Sequence, residues 1–289
     1  MMIQPDPIAC QIADLFSKRN IKKKYPVTVR SDNPAFKRSG NSFDFKNIRE
    51  YQVNDDLKKI DWKLYGRTER YYIKEFFEEE TLPIYIAVDR SASMNLFASK
   101  SSMQRFIVSI CYMLLKLNFT ITILSFDTNI KATLKNLKGV EKLAEISKFI
   151  EKISFEGKTD ILKSLKNIIM EFRPSILLVF SDFFDSPTSI NKINLFKKLF
   201  FFHFFTPINT IFNTFGDYEV EDEEIKKIIL VPFDNMAADE LNKKQSMFLE
   251  ALSEKGKKSL NKHYFRFTSE TIDENLKEVY WHFLELLYG

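Results

Sequence analysis

The chain has 289 residues, of which 45% are hydrophobic and 28% are charged, a balance typical of a globular protein with a sizeable core. Its formal net charge of +4 is too small for a nucleic-acid-binding protein, which needs a strong and clustered basic surface. The two cysteines, Cys10 and Cys111, lie far apart in the sequence, which is typical of reduced thiols rather than of a disulfide framework. With three histidines and no paired cysteines, the sequence also disfavours a zinc site.

The sequence predicts neither a signal peptide nor a membrane span. The N-terminal residues MMIQPDPIACQIADLF carry prolines and aspartates in place of the basic start and apolar run of a signal peptide. The most apolar window, LFKKLFFFHFFTPINTIF, is interrupted by Lys197, Lys198, His203 and Pro207. A membrane span needs about 20 uninterrupted apolar residues. We therefore expect a soluble cytoplasmic protein.

The first 81 residues differ in pattern from the rest of the chain. An amphipathic helix near residues 8–19 precedes polar, turn-rich stretches and short alternating runs such as YPVTVRS and RYYIKEFFEEE. Such runs between turn residues are typical of short strands. We expect a small β-containing N-terminal module over residues 1–81.

From residue 82 onwards, apolar strands alternate with amphipathic helices. The predicted strands are PIYIAVD, TITILSFD, SILLVFSDF, FFHFFTPI and HYFRFT. The predicted helices between and after them are MQRFIVSICYMLLKLNF, VEKLAEISKFIEKI, DILKSLKNIIMEF, SINKINLFKKLF, LNKKQSMFLEALSEKGKK and IDENLKEVYWHFLELL. Because the strands are apolar throughout, this alternation predicts an α/β domain over residues 82–289, with a Rossmann-type, mostly parallel sheet flanked by helices. A polar hairpin is predicted as an insertion at about residues 210–232.

Polar side chains follow the first and third of these strands. Asp89, Ser91 and Ser93 come at alternate positions after the first strand, and Asp182 follows the third. Thr159 lies in the loop before the helix DILKSL. In open α/β sheets ligands bind at the carboxyl ends of the strands, and alternate residues of an extended loop point the same way. The resulting shell of carboxylate and hydroxyl oxygens is typical of a Mg²⁺ site.

A helix cap is the simpler interpretation of some of these residues. Ser, Thr and Asp are common N-caps where a strand leads into a helix, and for Ser93 or Thr159 alone the cap is favoured. Asp89 and Asp182 could likewise bind loop amides. The joint occurrence of two strand-end aspartates, the D-x-S-x-S spacing and a loop threonine favours the metal site.

Catalytic interpretations find less support in the residues. The EGKT segment lacks the first glycine of a P-loop, because Lys152 stands at that position. Phosphotransferases with an aspartyl nucleophile usually carry a second aspartate two residues on, where this chain has Ser91. No histidine lies in these loops to serve a Ser-His-Asp site. We expect no enzymatic activity, and a metal-dependent hydrolase or phosphotransferase that uses Asp89 as nucleophile stays the alternative.

Two resemblances rest on these motifs and on a segment upstream of them. In order, AVDRSASM, GKTD and FSDFFD resemble the metal-ion-dependent adhesion site of von Willebrand factor type A domains. The segment SGNSFDFKNIREYQVNDDLKKIDWKLYGRTERYYIKEF resembles the signature of the DUF58 family. The matching signature residues are Gly40, Asp44, Phe45, Arg49, Tyr51, Asp55, Asp56, Ile60, Asp61, Trp62 and Arg67. The chain departs from that signature at Asn54, where Gly is usual, and at Gly66, where Ala is usual.

The resemblances imply a DUF58-type module over residues 1–81 and a von Willebrand-like domain over residues 82–289. They imply Mg²⁺ or Mn²⁺ at the adhesion site, which captures an acidic residue of a partner protein. We assign Ser91, Ser93 and Thr159 as direct ligands, with Asp89 and Asp182 holding metal-bound waters or Asp182 binding directly when no partner is present. DUF58 proteins are associated with MoxR-type AAA+ ATPases, which implies an adaptor or co-chaperone acting with such an ATPase or its client.

Overall fold

A computed structural model describes most of the chain. The described residues are 2–18, 39–53, 55–77, 83–158, 160–183, 198–212, 214, 216–221, 228–257 and 262–288. The chain forms two compact units, of which the smaller is Lys23–Leu82 and the larger combines Met1–Lys22 with Pro83–Gly289. The first element, helix α1 (Pro7–Lys18), belongs to the larger unit.

The smaller unit is built on an antiparallel pair of strands, β1 (Ser39–Glu50) and β2 (Tyr72–Phe77), with helix α2 (Trp62–Thr68) between them in sequence. Asp61 begins α2, since its Oδ1 accepts hydrogen bonds from the backbone N–H groups of the second and third residues that follow it. Asp56 caps the short 3-10 helix Leu57–Lys59 in the same way. The smaller unit thus contains β-structure, as the sequence predicted for this part of the chain, but it excludes residues 1–22.

A bidentate ion pair supports the end of β1. Both guanidinium Nη atoms of Arg49 lie 2.6 Å from the carboxylate oxygens of Asp55. The hydrogen bond from Arg49 lowers the pKa of Asp55 to about 2. Three acidic residues of the signature, Asp55, Asp56 and Asp61, therefore stabilise local structure within the smaller unit.

The larger unit is organised around one six-stranded sheet. Its strands are β3 (Ile84–Asp89), β4 (Ile121–Phe126), β5 (Ile130–Leu137), β6 (Ile176–Ser181), β7 (Lys198–Phe205) and, after the β8–β9 hairpin, β10 (Lys262–Thr268). The order across the sheet is β10-β7-β6-β3-β4-β5, and only β5 runs antiparallel to its neighbour. Numbered within the sheet alone, this is the doubly wound order 3-2-1-4-5-6.

Helices cover both faces of this sheet. Besides α1, the helices of the larger unit are α3 (Lys100–Lys116), α4 (Leu143–Glu151), α5 (Ile161–Phe172), α6 (Ile208–Ile211), α7 (Asn235–Lys257) and α8 (Leu276–Tyr288). On one face, Leu165 and Ile168 of α5 pack into a cluster with Val179 of β6. On the other face, Phe106 of α3 and Phe283 of α8 contact phenylalanines of β6 and β7. Because both faces are covered, β4 and β6 are buried along their whole length. The predicted α/β fold is confirmed.

Three details differ from or extend the predicted elements. Helix α1 buries Ala9, Ile12, Ala13 and Phe16 in the larger unit, where it contacts α3 and α8, whereas the sequence placed it in the N-terminal module. The helix predicted at residues 189–200 lies mostly outside the described residues, and residues 198–200 belong to β7. An antiparallel hairpin of β8 (Gly216–Glu221) and β9 (Ile228–Phe233) occupies the region in which a polar hairpin was expected.

Among the helices that the structure describes, none combines the length and the apolar character needed to cross a membrane.

Candidate functional site

The two central strands, β3 and β6, end side by side at the point where the strand order reverses. From β3 the chain continues to β4 on one side, and from β6 it continues to β7 on the other. Val88 pairs with Phe180, so Asp89 and Ser181 are the next pair at the carboxyl edge. Ligand sites of doubly wound folds lie at this switch point.

Asp89 is fully buried and both of its carboxylate oxygens accept hydrogen bonds. The backbone N–H of Ser91 donates to Oδ1 over 2.8 Å, and the hydroxyl of Ser181 donates to Oδ2 over 2.6 Å. Both of these donors are neutral, and together they fix the orientation of the carboxylate. Asp89 is therefore held rigidly at the edge of the sheet.

Ser91 and Ser93 bring two hydroxyls together beside Asp89. Their Oγ atoms are 3.0 Å apart, and Ser91 is fully buried. Ser91 precedes the 3-10 helix Ala92–Leu96, but its side chain makes no capping hydrogen bond. The cap interpretation therefore does not account for Ser91. Ser91 lies just before this helix, with φ −59° and ψ 155°, and Ser93 is the second residue of the helix.

The loop after α4 is attached to the D-x-S-x-S segment through Gly157. Ala92 donates its backbone N–H to the Gly157 carbonyl over 2.7 Å, and Gly157 donates its own to the Arg90 carbonyl over 3.2 Å. Thr159, two residues further on, lies outside the described residues. The N-cap of the following helix, α5, is Asp160, whose carboxylate accepts from the backbone N–H of Lys163.

Asp182 lies at the same edge, one residue after β6. It is 5% exposed and lines a cavity together with Ser93. The next residue, Phe183, adopts φ 52°, a left-handed conformation that is strained for a bulky side chain. Its backbone N–H donates to the Ser181 hydroxyl over 3.0 Å, which holds this turn against the end of β6.

Four of the five predicted site residues, Asp89, Ser91, Ser93 and Asp182, thus lie at one edge of the sheet. Within the described ranges, no three His, Cys, Asp or Glu side chains are grouped so that they could hold a metal ion. A metal ion at this edge would therefore depend on hydroxyl ligands as well as carboxylates.

Two further residues shape this edge, and the sequence did not assign them to the site. Ser181 holds the second oxygen of Asp89, which only the register between β3 and β6 shows. His203 pairs with Ser181 on the neighbouring strand, and its Nδ1 lies 2.5 Å from the Tyr264 hydroxyl. Burial lowers the pKa of His203 to about 3, so the ring is neutral near pH 7. The available signal was one polar residue within the apolar run FFHFF.

A third strand-end aspartate, Asp127, follows β4. The Asn129 backbone N–H donates to its Oδ1 over 3.1 Å, and Lys131 Nζ lies 3.3 Å from its Oδ2. The Asp127 backbone N–H donates in turn to the Asn129 carbonyl. These bonds close a turn directly after β4.

Comparisons with known proteins identify a family. Residues 47–244 match the model of a family described as "Protein of unknown function DUF58". No curated protein matches the chain.

Solved structures with similarity to the chain include proteins from three bacteria. A conserved hypothetical protein BatB from Bacteroides thetaiotaomicron is 13% identical with a TM-score of 0.43, covering 72% of this chain and 100% of its own. An aerotolerance-related membrane protein from Bacteroides fragilis is 14% identical with a TM-score of 0.39, covering 71% and 98%. An uncharacterized membrane spanning protein from Vibrio fischeri is 15% identical with a TM-score of 0.23, covering 70% and 96%. Similarity at this level establishes no shared function.

Proposed function

Because the chain belongs to the DUF58 family, whose function is unknown, we propose from the geometry of its sheet edge that it is a metal-dependent protein-interaction module. The site binds Mg²⁺ or Mn²⁺ and captures an acidic residue of a partner protein. That partner is a MoxR-type AAA+ ATPase or its client, and the chain acts as an adaptor or co-chaperone. It has no enzymatic activity of its own.

The observation that carries this proposal is the pair of hydroxyls beside a buried carboxylate. The Oγ atoms of Ser91 and Ser93 are 3.0 Å apart. Two oxygens on adjacent positions of an octahedral Mg²⁺ ion, each about 2.1 Å from the metal, are separated by about 3.0 Å. The donor set consists of oxygens only, which is the chemistry that Mg²⁺ and Mn²⁺ prefer.

The proposal divides the five residues into direct ligands and acceptors of metal-bound water. Ser91, Ser93 and Thr159 supply hydroxyl ligands. Asp89 already accepts a hydrogen bond at each carboxylate oxygen, which suits the acceptor of a metal-bound water better than a direct ligand. Asp182 accepts a second such water, or binds directly when no partner is present. A bound divalent ion supplies a positive charge with an open coordination position, which accepts the carboxylate of the partner.

The alternative of a hydrolase or phosphotransferase is disfavoured by the burial of Asp89. A nucleophilic carboxylate must reach the substrate, whereas Asp89 is fully buried and bonded at both oxygens. A hydrolase would also need a general base. His203 lies at this edge among the described residues, but burial lowers its pKa to about 3, which makes it a weak base.

Metal binding is tested by thermal unfolding with and without Mg²⁺. A ligand that binds only the folded state at 100 times its Kd stabilises the protein by about 2.7 kcal/mol, so we expect a clear rise in Tm. Asp89→Asn removes the charge with little change of shape and should abolish the rise. Asp127→Asn, at the end of the neighbouring strand, is the matched control and should keep it.

Mn²⁺ binding followed by electron paramagnetic resonance gives a second readout, because bound Mn²⁺ loses the signal of the free ion. We expect one site per chain in the wild type and in Asp127→Asn, and none in Asp89→Asn. Equal responses in the two variants would contradict the proposed site.

Partner capture is tested by pull-down of a purified MoxR-type ATPase from the same organism. We expect binding in Mg²⁺, loss on addition of a chelator, and recovery when Mg²⁺ is restored in excess. Binding that persists in the chelator, or in the Asp89→Asn variant, would show that the sheet edge does not capture the ATPase.

A further inference from the structure

A cavity of about 330 Å³ lies directly beside the proposed metal site. Ser93 and Asp182 form part of its wall, so the cavity and the site share two residues. The remaining wall comes mostly from apolar side chains near the end of β7 and on α6 and α7, among them Phe205, Ile208, Leu241 and Phe248. Its size and apolar character fall in the range of protein sites that bind organic groups.

The polar groups in this wall are engaged by the protein itself. Thr206 donates its hydroxyl to the Leu96 carbonyl over 2.7 Å, and Gln245 donates to the Thr206 carbonyl over 3.3 Å. Lys244 Nζ forms an ion pair with Glu240 over 2.6 Å. Away from Ser93 and Asp182, the cavity therefore offers chiefly apolar contacts to an occupant.

We infer that this cavity binds a bulky apolar side chain of the same partner segment whose carboxylate the metal site captures. This inference rests on the proposed function. Because Ser93 and Asp182 belong to both places, one short extended segment can supply both the apolar side chain and the carboxylate. An extended chain advances about 3.3 Å per residue, so the apolar residue lies within two positions of the acidic one. The partner motif is thus an Asp or Glu flanked by Leu, Met or Phe.

Three synthetic heptapeptides with blocked ends test the motif by fluorescence anisotropy in Mg²⁺. The first has a central Glu flanked on each side by two Leu and then a Gly, the second replaces every Leu by Ser, and the third replaces Glu by Gln in the first. We expect the Leu–Glu peptide to bind at least tenfold more tightly than the Ser–Glu peptide, a difference of about 1.4 kcal/mol. The Gln peptide should lose most of this affinity, since it lacks the carboxylate.

A pair of variants on α7 tests whether the preference arises in the cavity. Leu241→Ser replaces an apolar wall residue and should reduce the Leu-to-Ser preference to below about threefold. Met247→Ser is the matched control, because Met247 lies on the same helix, is 61% exposed and does not line the cavity. It should keep the full preference.

The outcomes separate the two proposals. If Mg²⁺ raises the Tm but the Leu and Ser peptides bind equally, the cavity inference is wrong and the metal site stands. The cavity inference is also wrong if Leu241→Ser keeps the preference, or if octanoate, a free apolar carboxylate, binds more tightly than the Leu–Glu peptide. If the Leu–Glu peptide binds equally with and without a chelator, the metal-dependent function fails instead.

Discussion

The ends of β3 and β4 provide two versions of the same local structure. The strands are parallel neighbours, and each leads into a buried aspartate at the same edge, with Asp89 at 0% and Asp127 at 5% exposure. Asp89 accepts hydrogen bonds from Ser91 and Ser181, which are neutral donors, whereas Asp127 faces the ammonium group of Lys131. Two aspartates at neighbouring strand ends thus differ in the groups that surround their carboxylates.

Substitution of Gly157, which contacts both strand ends, gives the largest expected loss of stability. Gly157 pairs with Ser91 through its backbone, and a Cβ added to it would lie 2.5 Å from the Cβ of Asp127. The Cβ of Asp127 is fixed by its own backbone and cannot rotate away. Gly157→Ala must therefore displace the backbone of the Gly157 loop or of Asp127. We expect a loss of about 3 kcal/mol in the free energy of unfolding, measured by urea denaturation, at the upper end of the usual cost of overpacking.

Gly66→Ala is the control for this substitution. No atom lies within 4 Å of the added Cβ, and Gly66 is inside helix α2. Alanine in a helix interior is favoured over glycine by about 1 kcal/mol, so this variant should be slightly more stable than the wild type. A Gly157→Ala protein as stable as the wild type would mean that the loop is not held against the two strand ends.

Much of the β3 end could be predicted from the sequence, because an apolar strand followed by alternating polar residues restricts where Asp89, Ser91 and Ser93 can lie. The partner of Asp89 could not, since Ser181 is 92 residues away and becomes a neighbour only through the strand register. The contacts of His203 could not be predicted either, because in the sequence it is only one polar residue within an apolar strand. Tertiary pairing, rather than local pattern, decides such contacts.

Strand β5 shows a different limit of sequence reasoning. A buried parallel strand is recognised by its continuous apolar run, whereas β5 is an antiparallel edge strand whose side chains are mostly exposed or half-buried. Edge strands need apolar residues on one face only, so the segment IKATLKNL carries too few to be recognised. Its antiparallel direction follows from the short turn after Asp127, which leaves no room for a crossover helix.

Substitution of a buried serine at each strand end gives the next largest loss of stability and allows the two ends to be compared. Ser181→Ala removes the hydroxyl that donates to Asp89 Oδ2, and we expect it to cost about 2 kcal/mol because a buried carboxylate oxygen loses its hydrogen bond. The proposed function adds that the rise of Tm in Mg²⁺ becomes smaller, since Asp89 is no longer held in place.

Ser164→Ala is the matched control at the other strand end. Ser164 is fully buried and donates its hydroxyl to the backbone carbonyl of Asp127. Its replacement should reduce stability by a similar amount, about 1–2 kcal/mol, and leave the Mg²⁺ response unchanged. If both variants weaken the response equally, the effect of Ser181→Ala is one of general stability and not of the orientation of Asp89.

The smallest expected effect concerns the cation at the β4 end. Lys131 is 42% exposed, so its ion pair with Asp127 is partly solvated and should contribute less than about 1 kcal/mol. A double-mutant cycle of Lys131→Met and Asp127→Asn in urea denaturation measures this coupling, which should decrease as salt concentration rises. The same Lys131→Met variant tests why the two strand ends differ.

Removal of the lysine leaves Asp127 without that cation, but the residues that follow it are Thr128 and Asn129, in a turn closed by Asn129. That turn lacks the D-x-S-x-S spacing, because Asn129 stands two residues after Asp127 and Lys131 four residues after it. We therefore expect Lys131→Met to bind no more Mn²⁺ per chain than the wild type in the paramagnetic resonance assay. A second bound ion would instead show that the lysine alone keeps Asp127 from acting as a ligand, and that the hydroxyl pair of Ser91 and Ser93 is not what distinguishes the β3 end.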